Sequence, residues 1–262
     1  VGDQLPERSA ITAFDVGATS ISAGTVGRDR RMLSGVAKRR TRPPLGPEQL
    51  VEAIGVLARR LPRTELAVVG FPGLVEDGAV ISPENLVAVD GPGSASDRIC
   101  EEAWIGYPLQ TRLAEHLERA VLLFNDADVA ALGCARGEGR ELTVTLGSGV
   151  GTGLVVDGRL QPHQEHPRLS VFDGQLVDAM VGEQARKGLA HGAWEERVLG
   201  MLVELRSLTS WDRCYVAGGN ARRLSRDRMA ELEADLWAVY EPVGLLGAAG
   251  LVAQAEIGTN GQ

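Results

Sequence analysis

Two glycine turns set half a chain apart constrain this sequence more than anything else in it. The first, Phe14-Asp15-Val16-Gly17-Ala18-Thr19, interrupts an apolar run over 11–26. The second, Leu146-Gly147-Ser148-Gly149-Val150-Gly151-Thr152, separates apolar segments at 142–146 and 154–156. Short apolar segments on both sides of a glycine turn read as a strand hairpin. Two such hairpins in corresponding places predict two similar halves that present their turns to a shared cleft. Glycine makes up 33 of 262 residues, well above the roughly 7% of an average chain. The glycines cluster without a three-residue period, so they mark sharp turns or close backbone approach to a ligand.

A chain of 262 residues suits one large domain or two small ones. With 27 Lys and Arg against 35 Asp and Glu the formal charge is −8, which argues against general affinity for nucleic acid. Arginines nevertheless cluster (Arg39, Arg40, Arg42; Arg59, Arg60, Arg63; Arg222, Arg223, Arg226, Arg228), and solvated helix or loop faces are their ordinary reading. Cys100, Cys134 and Cys214 are far apart and form no CxxC, so neither a disulfide framework nor a zinc site is expected, and the default compartment is reducing. The first ten residues are polar, without the apolar core of a signal peptide. No apolar run approaches the roughly 18 residues of a membrane span. A cytoplasmic protein with no membrane partner is expected.

Along the chain, a third strand is expected over 32–38, before Pro43, Pro44 and Pro47 break the pattern. Leu50, Val51, Ile54, Leu57 and Ala58 have helical spacing, which predicts a helix over 48–60. Residues 66–70 read as a buried strand ending at Phe71-Pro72-Gly73, and 75–81 as a hairpin turning at Asp77-Gly78. The stretch 82–101, with Gly91-Pro92-Gly93-Ser94, reads as an exposed loop. A short helix over 109–117 precedes a strand at 120–124, which runs into a helix start at Asn125-Asp126. Two helices are expected over 174–208, a strand at 214–217, and closing helices at about 220–238 and 243–255. Strands alternating with helices give an α/β class.

Four short motifs could carry chemistry. The loop from Gly147 to Gly153 holds four glycines in seven residues and can turn several backbone N–H groups toward one anion. It is not a Walker A loop, since no Gly-Lys-Ser/Thr follows, nor a Rossmann fingerprint, since a strand follows it. A glycine-rich hairpin without a ligand is the other reading. Asp15 stands at a strand end beside a tight turn, where a carboxylate can hold Mg²⁺ through water or simply bond its own turn. Asn125 and Asp126 sit at a strand-to-helix junction. There Asp126 could accept a proton from an attacking hydroxyl, or the pair could merely cap the helix. Gly218-Gly219-Asn220 allows close approach to a ligand or close strand–helix packing.

The order of these motifs and their flanking strands resembles the ROK sugar kinases (repressor, open reading frame, kinase), a group within the actin-like ATPase superfamily. The polyphosphate/ATP glucokinase branch is the most similar. The stretches that carry this are FDVGATSISAGTV (14–26), VVGFPGLVEDGAV (68–80), WIGYPL (104–109), LFNDADVAAL (123–132), TLGSGVGTGLVVDGRL (145–160), YVAGGNARRL (215–224) and VGLLGAAGL (243–251). The resemblance implies a two-lobed actin-like ATPase (ribonuclease H-like) fold with a central cleft. Residues 1–122 plus a C-terminal helix at about 243–256 would form a small lobe, and 123–242 a larger one.

It further implies Mg²⁺-dependent transfer of a phosphoryl group from ATP or polyphosphate to a hydroxyl of a glucose-like sugar, aminosugar or cyclitol. Asp15 would hold Mg²⁺ through water. Gly17, Ala18 and Thr19 would line one phosphate site, and Gly147, Ser148, Gly149, Gly151 and Thr152 the other. Gly218, Gly219 and Asn220 would face adenosine. Asn125 and Asp126 would bind the sugar, with Asp126 as general base and Gly73 and Asn85 nearby. A homodimer is implied, and the zinc motif of many members is absent.

The chain departs from the family at three places. Ala18 replaces a glycine, and Ser22 stands where many relatives carry lysine. In Gln164-Glu165-His166-Pro167-Arg168-Leu169 the Glu matches a sugar ligand, but Pro167 and Arg168 replace Gly and His. Glu165, His166 and Arg168 are therefore candidate substrate residues of altered specificity. A catalytically impaired sensor or partner subunit stands as the alternative. About ten residues precede the first strand, which leaves little room for the DNA-binding helices of ROK repressors.

Overall fold

The structure is a computed structural model that describes residues 10–90, 94–164, 170–171 and 175–259. β1 (Ala10–Val16) and β2 (Ser20–Gly27) form an antiparallel hairpin, and β3 (Ala37–Arg40) pairs antiparallel to β2. Helix α1 (Pro47–Ala58) returns the chain to β4 (Leu66–Phe71), parallel to β1. A small hairpin, β5 (Leu74–Glu76) and β6 (Ala79–Ser82), turns at Asp77-Gly78. Helices α2 (Arg98–Trp104) and α3 (Leu109–Leu117) lead to β7 (Ala120–Asn125), parallel to β4. The first sheet thus has the order β3-β2-β1-β4-β7.

Helix α4 (Asp126–Cys134) leads to the second sheet, whose hairpin is β8 (Arg140–Leu146) and β9 (Val150–Val156). β10 (Arg159–Leu160) pairs antiparallel to β9. A two-stranded ribbon, β11 (Ser170–Val171) and β12 (Gln175–Leu176), precedes α5 (Val177–Val181), α6 (Glu183–Gly188) and α7 (His191–Thr209). β13 (Arg213–Ala217) runs parallel to β8. After α8 (Arg226–Leu232), β14 (Leu236–Ala238) runs parallel to β13. The order β10-β9-β8-β13-β14 repeats that of the first sheet, in pairing direction as well as sequence. Helix α9 (Val243–Thr259) closes the described chain.

Side-chain alternation explains how the sheets are covered. On β1, Phe14 and Val16 face a core shared with Leu50, Ile54 and Leu57 of α1 and Leu113 of α3, while Ile11 and Ala13 face the other way. That second face packs on Val129 and Leu132 of α4, Leu245 and Ala248 of α9 and Val155 of β9. The second sheet buries its far side under Trp194, Val198 and Leu202 of α7. Each fully buried large aliphatic or aromatic side chain contributes about 1.5–3 kcal/mol. α4 and α9 cross closely because glycines lie between them. A Cβ on Gly133 would stand 2.3 Å from the Val243 carbonyl oxygen, and Gly247 leaves still less room at Val129. Among the described residues no helix is long and apolar enough to cross a membrane.

Several elements differ from the sequence expectations. The third strand begins only at Ala37. Met32 makes just a bridge to Val26, and the Ser34 hydroxyl takes the Thr25 amide that a strand partner would have used. The stretch 82–101 is not all loop, because Asp97 caps α2 through the Cys100 amide and Trp104 is fully buried, donating its indole N–H to the Leu45 carbonyl. Three helices occupy the region where two were expected. The helix expected over 220–238 is instead a 3-10 turn, the short α8 capped by Ser225, and β14, whose Leu236 is buried in the second core. The first sheet also runs through Asn125, past the boundary expected at 122.

Candidate active site

Because β1, β4 and β7 are parallel, their carboxyl ends open on one edge of the first sheet. Register places Asp15 beside Gly70, Gly70 beside Phe124, and Phe71 beside Asn125. Asp126 follows as the first residue of α4. A Cβ on Gly70 would stand 3.2 Å from the Asp126 Cα, so the bare glycine lets the helix start against the strand. Asp15 shares the face of Ile11 and Ala13 and so points toward α9. A Cβ on Gly244 would meet its carboxylate atoms at 2.8–3.1 Å. The carboxylate therefore abuts the first turn of a 17-residue helix, the end that favours negative charge.

The two carboxylates act on each other. Burial pushes the Asp126 carboxyl well above the usual range, and the charge of Asp15 adds to this. Burial likewise raises Asp15, with the Lys38 charge opposing. Such a pair favours either a shared proton or a cation.

Asn125 is committed on both sides of its amide. Its Oδ1 accepts from the Ala127 and Asp128 amides at 2.8 and 3.3 Å, and its Nδ2 donates to the Gly73 carbonyl at 3.0 Å. The residue caps α4 and fixes the entrance to the β5–β6 hairpin. Gly73 is buried with no room for a side chain, since a Cβ would clash with the Ser82 carbonyl. Asn85 lies half-buried in a 3-10 turn over Glu84–Val87.

The turn of the first hairpin, 17–19, closes through a Gly17 amide to Ser20 carbonyl bond of 2.9 Å. Thr41 fastens it from outside, its hydroxyl donating to the Ala18 carbonyl at 2.7 Å and its amide to Thr19 at 3.0 Å. Ala18 is buried and is not among the described positive-φ residues, so its methyl fits without left-handed backbone.

The second hairpin reaches the same helix start. Ala127 Cβ would lie 2.8 Å from a Cβ on Gly151, and the Ala127 carbonyl 2.7 Å from one on Gly153. Only glycine lets β9 approach α4 this closely. At the turn itself, a Cβ on Gly147 would meet nothing within 4 Å, so the backbone is open on that side at Gly147. Gly218, at φ +91°, sits against the Leu146 backbone, and Gly219 is open. Asn220 joins these turns, with its amide donating to Leu146 and its Nδ2 to the Gly147 carbonyl, both at 3.0 Å. Thr152 is buried and donates to the Gln164 carbonyl at 3.2 Å.

Sequence reasoning missed three side chains here. Glu183 takes the Asn220 Nδ2 on its carboxylate at 3.0 Å, and its amide donates to Ser148 at 3.3 Å. Arg186, and then Asn220, hold its carboxyl down at about 2. Thr41 is the second. His163 is the third, its Nδ1 lying 3.0 Å from Asp128 in the first turn of α4. Each acts through an isolated side chain, and no local pattern marks any of them. Glu165, His166 and Arg168, together with Pro167, lie outside the described residues.

Two sheets of the same order, each led by a hairpin and sharing helices α4 and α9, define the actin-like ATPase fold. The sequence model of the ROK family matches residues 11–165, and the chain belongs to that family. The polyphosphate glucokinase of Mycobacterium leprae (strain TN) is 26% identical over 81% of this chain and 64% of its own length. In fold, the inorganic polyphosphate/ATP-glucomannokinase of Arthrobacter sp. strain KM superposes with a TM-score of 0.78 at 24% identity, covering 95% of this chain and 100% of that one. A ROK family glucokinase from Streptomyces griseus, solved with glucose and AMPPNP, gives 0.73 at 19% identity, covering 94% and 99%.

Proposed function

We propose that this protein is a Mg²⁺-dependent sugar kinase that transfers a phosphoryl group from ATP or polyphosphate to a hydroxyl of a glucose-like sugar, aminosugar or cyclitol. The observation that carries this reading is the position of Asp126. Its carboxyl is raised and stands within electrostatic reach of Asp15, on a helix start that also touches the second glycine hairpin. A carboxylate of raised proton affinity is the better general base toward a sugar hydroxyl. Asn125 and Gly73 hold that helix start in place.

The residues suit Mg²⁺. Among the described residues no group of three or more metal-ligating side chains occurs, and Mg²⁺ usually takes one or two carboxylates with water and substrate phosphates. Asp15 would hold it, and when bound it would spread phosphate charge and offset the Asp15–Asp126 repulsion. The turn amides of 17–19 and 147–149 would bind donor phosphates, and Gly218, Gly219 and Asn220 the nucleoside. The two sheets are read as lobes that close on the substrates and exclude water. The names of the mycobacterial and Arthrobacter relatives support a hexose acceptor and either donor.

The test is a sugar panel with Mg·ATP and with polyphosphate. Asp126→Asn is expected to lower turnover by about 10²–10⁴-fold while donor affinity is kept. Near-wild-type turnover would refute the role. The same variant checks the raised pKa without any substrate. A group with a raised folded-state pKa favours the fold below its unfolded value, near 4, and loses that contribution as pH rises through the folded value. Asp126→Asn should therefore melt higher than wild type at neutral pH, with the difference fading below about pH 4.

A further inference from the structure

The first turn of α4 carries a second carboxylate, and the chemistry above does not use it. The Asp128 side chain is only 6% exposed, and its Oδ2 lies 3.0 Å from Nδ1 of His163, itself 14% exposed. An ionised carboxylate only accepts, so Nδ1 carries the proton. His116 also meets a carboxylate, Glu52 at 3.7 Å, but both side chains there are far more exposed, and the pair is an ordinary surface contact. Taking a charged pair out of water costs free energy, and apolar side chains in its place are often as stable or more so. Stability alone therefore does not account for His163 and Asp128.

The fold puts this pair beside Asp126. After β10 the Gln161 amide donates to the Leu154 carbonyl, which carries the chain back along β9. The Thr152 hydroxyl then holds the Gln164 carbonyl at 3.2 Å. Thr152 lies between Gly151 and Gly153, the two glycines that bring β9 against Ala127. Residues 161–164 thus form a strap fastened to β9, and His163 fastens it to α4 two residues past Asp126. Asn125 anchors the same turn from the first sheet's side, through the Gly73 carbonyl. The pair bears on charge as well. Burial and the Asp15 charge raise the Asp126 carboxyl, Asp128 adds to this, and a charge on His163 opposes it.

We propose that His163 is a positioning residue for phosphoryl transfer: by clasping Asp128 it fixes the first turn of α4, and with it the direction in which Asp126 presents its carboxylate to the sugar hydroxyl. The proposal rests on the kinase reading for the transfer step but not for the clasp itself. In that step the sugar oxygen bonds the terminal phosphorus, the bridging oxygen leaves with the electron pair, and the hydroxyl proton passes to Asp126. His163 takes no proton.

The test uses the full chain and compares wild type with His163→Leu, His163→Asn, Asp128→Ala and the His163→Leu/Asp128→Ala double variant. Initial rates are measured with Mg·ATP and the fastest acceptor of the sugar panel, and amide hydrogen exchange is followed over 122–132. Asparagine places its Nδ2 where histidine carries Nδ1, so it keeps the donor and loses the ring. His163→Leu is expected to lower kcat by about 10–100-fold with both KM values within about threefold, the mark of an interaction that acts in the transition state. His163→Asn should stay within about fivefold of wild type. Asp128→Ala should cost as much as His163→Leu, and the double variant no more than either, because the two side chains act as one unit. Exchange in the first turn of α4 should be about tenfold faster in His163→Leu. Wild-type kcat in a folded His163→Leu protein, losses that multiply in the double variant, or equal losses in His163→Asn and His163→Leu would each overturn the proposal. Should His163→Leu fail to fold, His163→Asn against Asp128→Ala makes the same comparison. A wild type that phosphorylates no sugar, with exchange still faster in His163→Leu, would refute the kinase reading and uphold the clasp, whereas unchanged exchange would remove the clasp.

Discussion

The two sheets share one strand order, yet their glycine turns are held in opposite ways. The first turn is braced from next door, by Thr41 at the end of the adjoining edge strand. The second is assembled from three segments. The 147–149 turn, Glu183 at the start of α6 and the 218–220 turn meet through Asn220, which is 73 residues from Gly147 in sequence. A locally built turn depends on its own hairpin, whereas one drawn together over long range transmits a change in any part to the others.

The largest effect that can sharpen this contrast is expected at Gly218. Its φ of +91° is glycine territory, and a Cβ would stand 2.5 Å from the Leu146 carbonyl oxygen and 2.9 Å from its amide nitrogen. Gly218→Val must displace the end of β8 or break the turn, at a cost of roughly 3 kcal/mol or more. Denaturant unfolding should show that loss, with weaker ATP binding beside it. Unchanged stability and ATP affinity would mean that the second turn is as self-contained as the first.

A smaller effect is expected from Glu183→Gln, at about 1–3 kcal/mol for loss of the charge-assisted bonds. The Glu183 carboxyl is held at about 2, chiefly by Arg186. A depressed carboxylate stabilises the fold above its unfolded pKa and loses that contribution as pH falls through the folded value. The gap between wild type and variant should therefore be full at neutral pH and shrink between about pH 4.5 and 2. A gap independent of pH would show that the brace works by shape rather than charge.

The same contrast explains what the sequence disclosed. Both hairpins were legible because apolar runs broken by glycine leave a local signature, and the Asn125-Asp126 helix start was legible because capping is a local act. α2 was hidden by its setting, since only burial of Trp104 against Leu45 makes a helix of a polar, glycine-flanked stretch. β14 is three residues long and exists because β13 offers it an edge. Glu183 and Thr41 join the candidate site through single residues whose partners lie 37 and 23 residues away along the chain. The faces of β3 depend on knowing the register, since only pairing shows that Lys38 and Arg40 share a face with Asp15 while Arg39 does not.

The smallest effect is expected at Ala18, where the first turn carries a methyl in place of the family's glycine. Ala18 is 2% exposed and lies outside the described positive-φ residues, so a glycine there would gain no conformation the native backbone uses. Its chief consequence would be greater freedom in the unfolded chain and one lost methyl contact. Ala18→Gly should therefore cost about 0.5–1 kcal/mol in unfolding free energy. Turnover should stay within a few-fold, because the Ala18 carbonyl that Thr41 grips belongs to the backbone. A rise in turnover of about tenfold or more would mean that the methyl stands where a phosphate oxygen must pass, and that this chain carries an impaired first turn. The two outcomes separate a turn that merely tolerates its side chain from one obstructed by it, which the bracing of the second turn by Asn220 and Glu183 cannot decide.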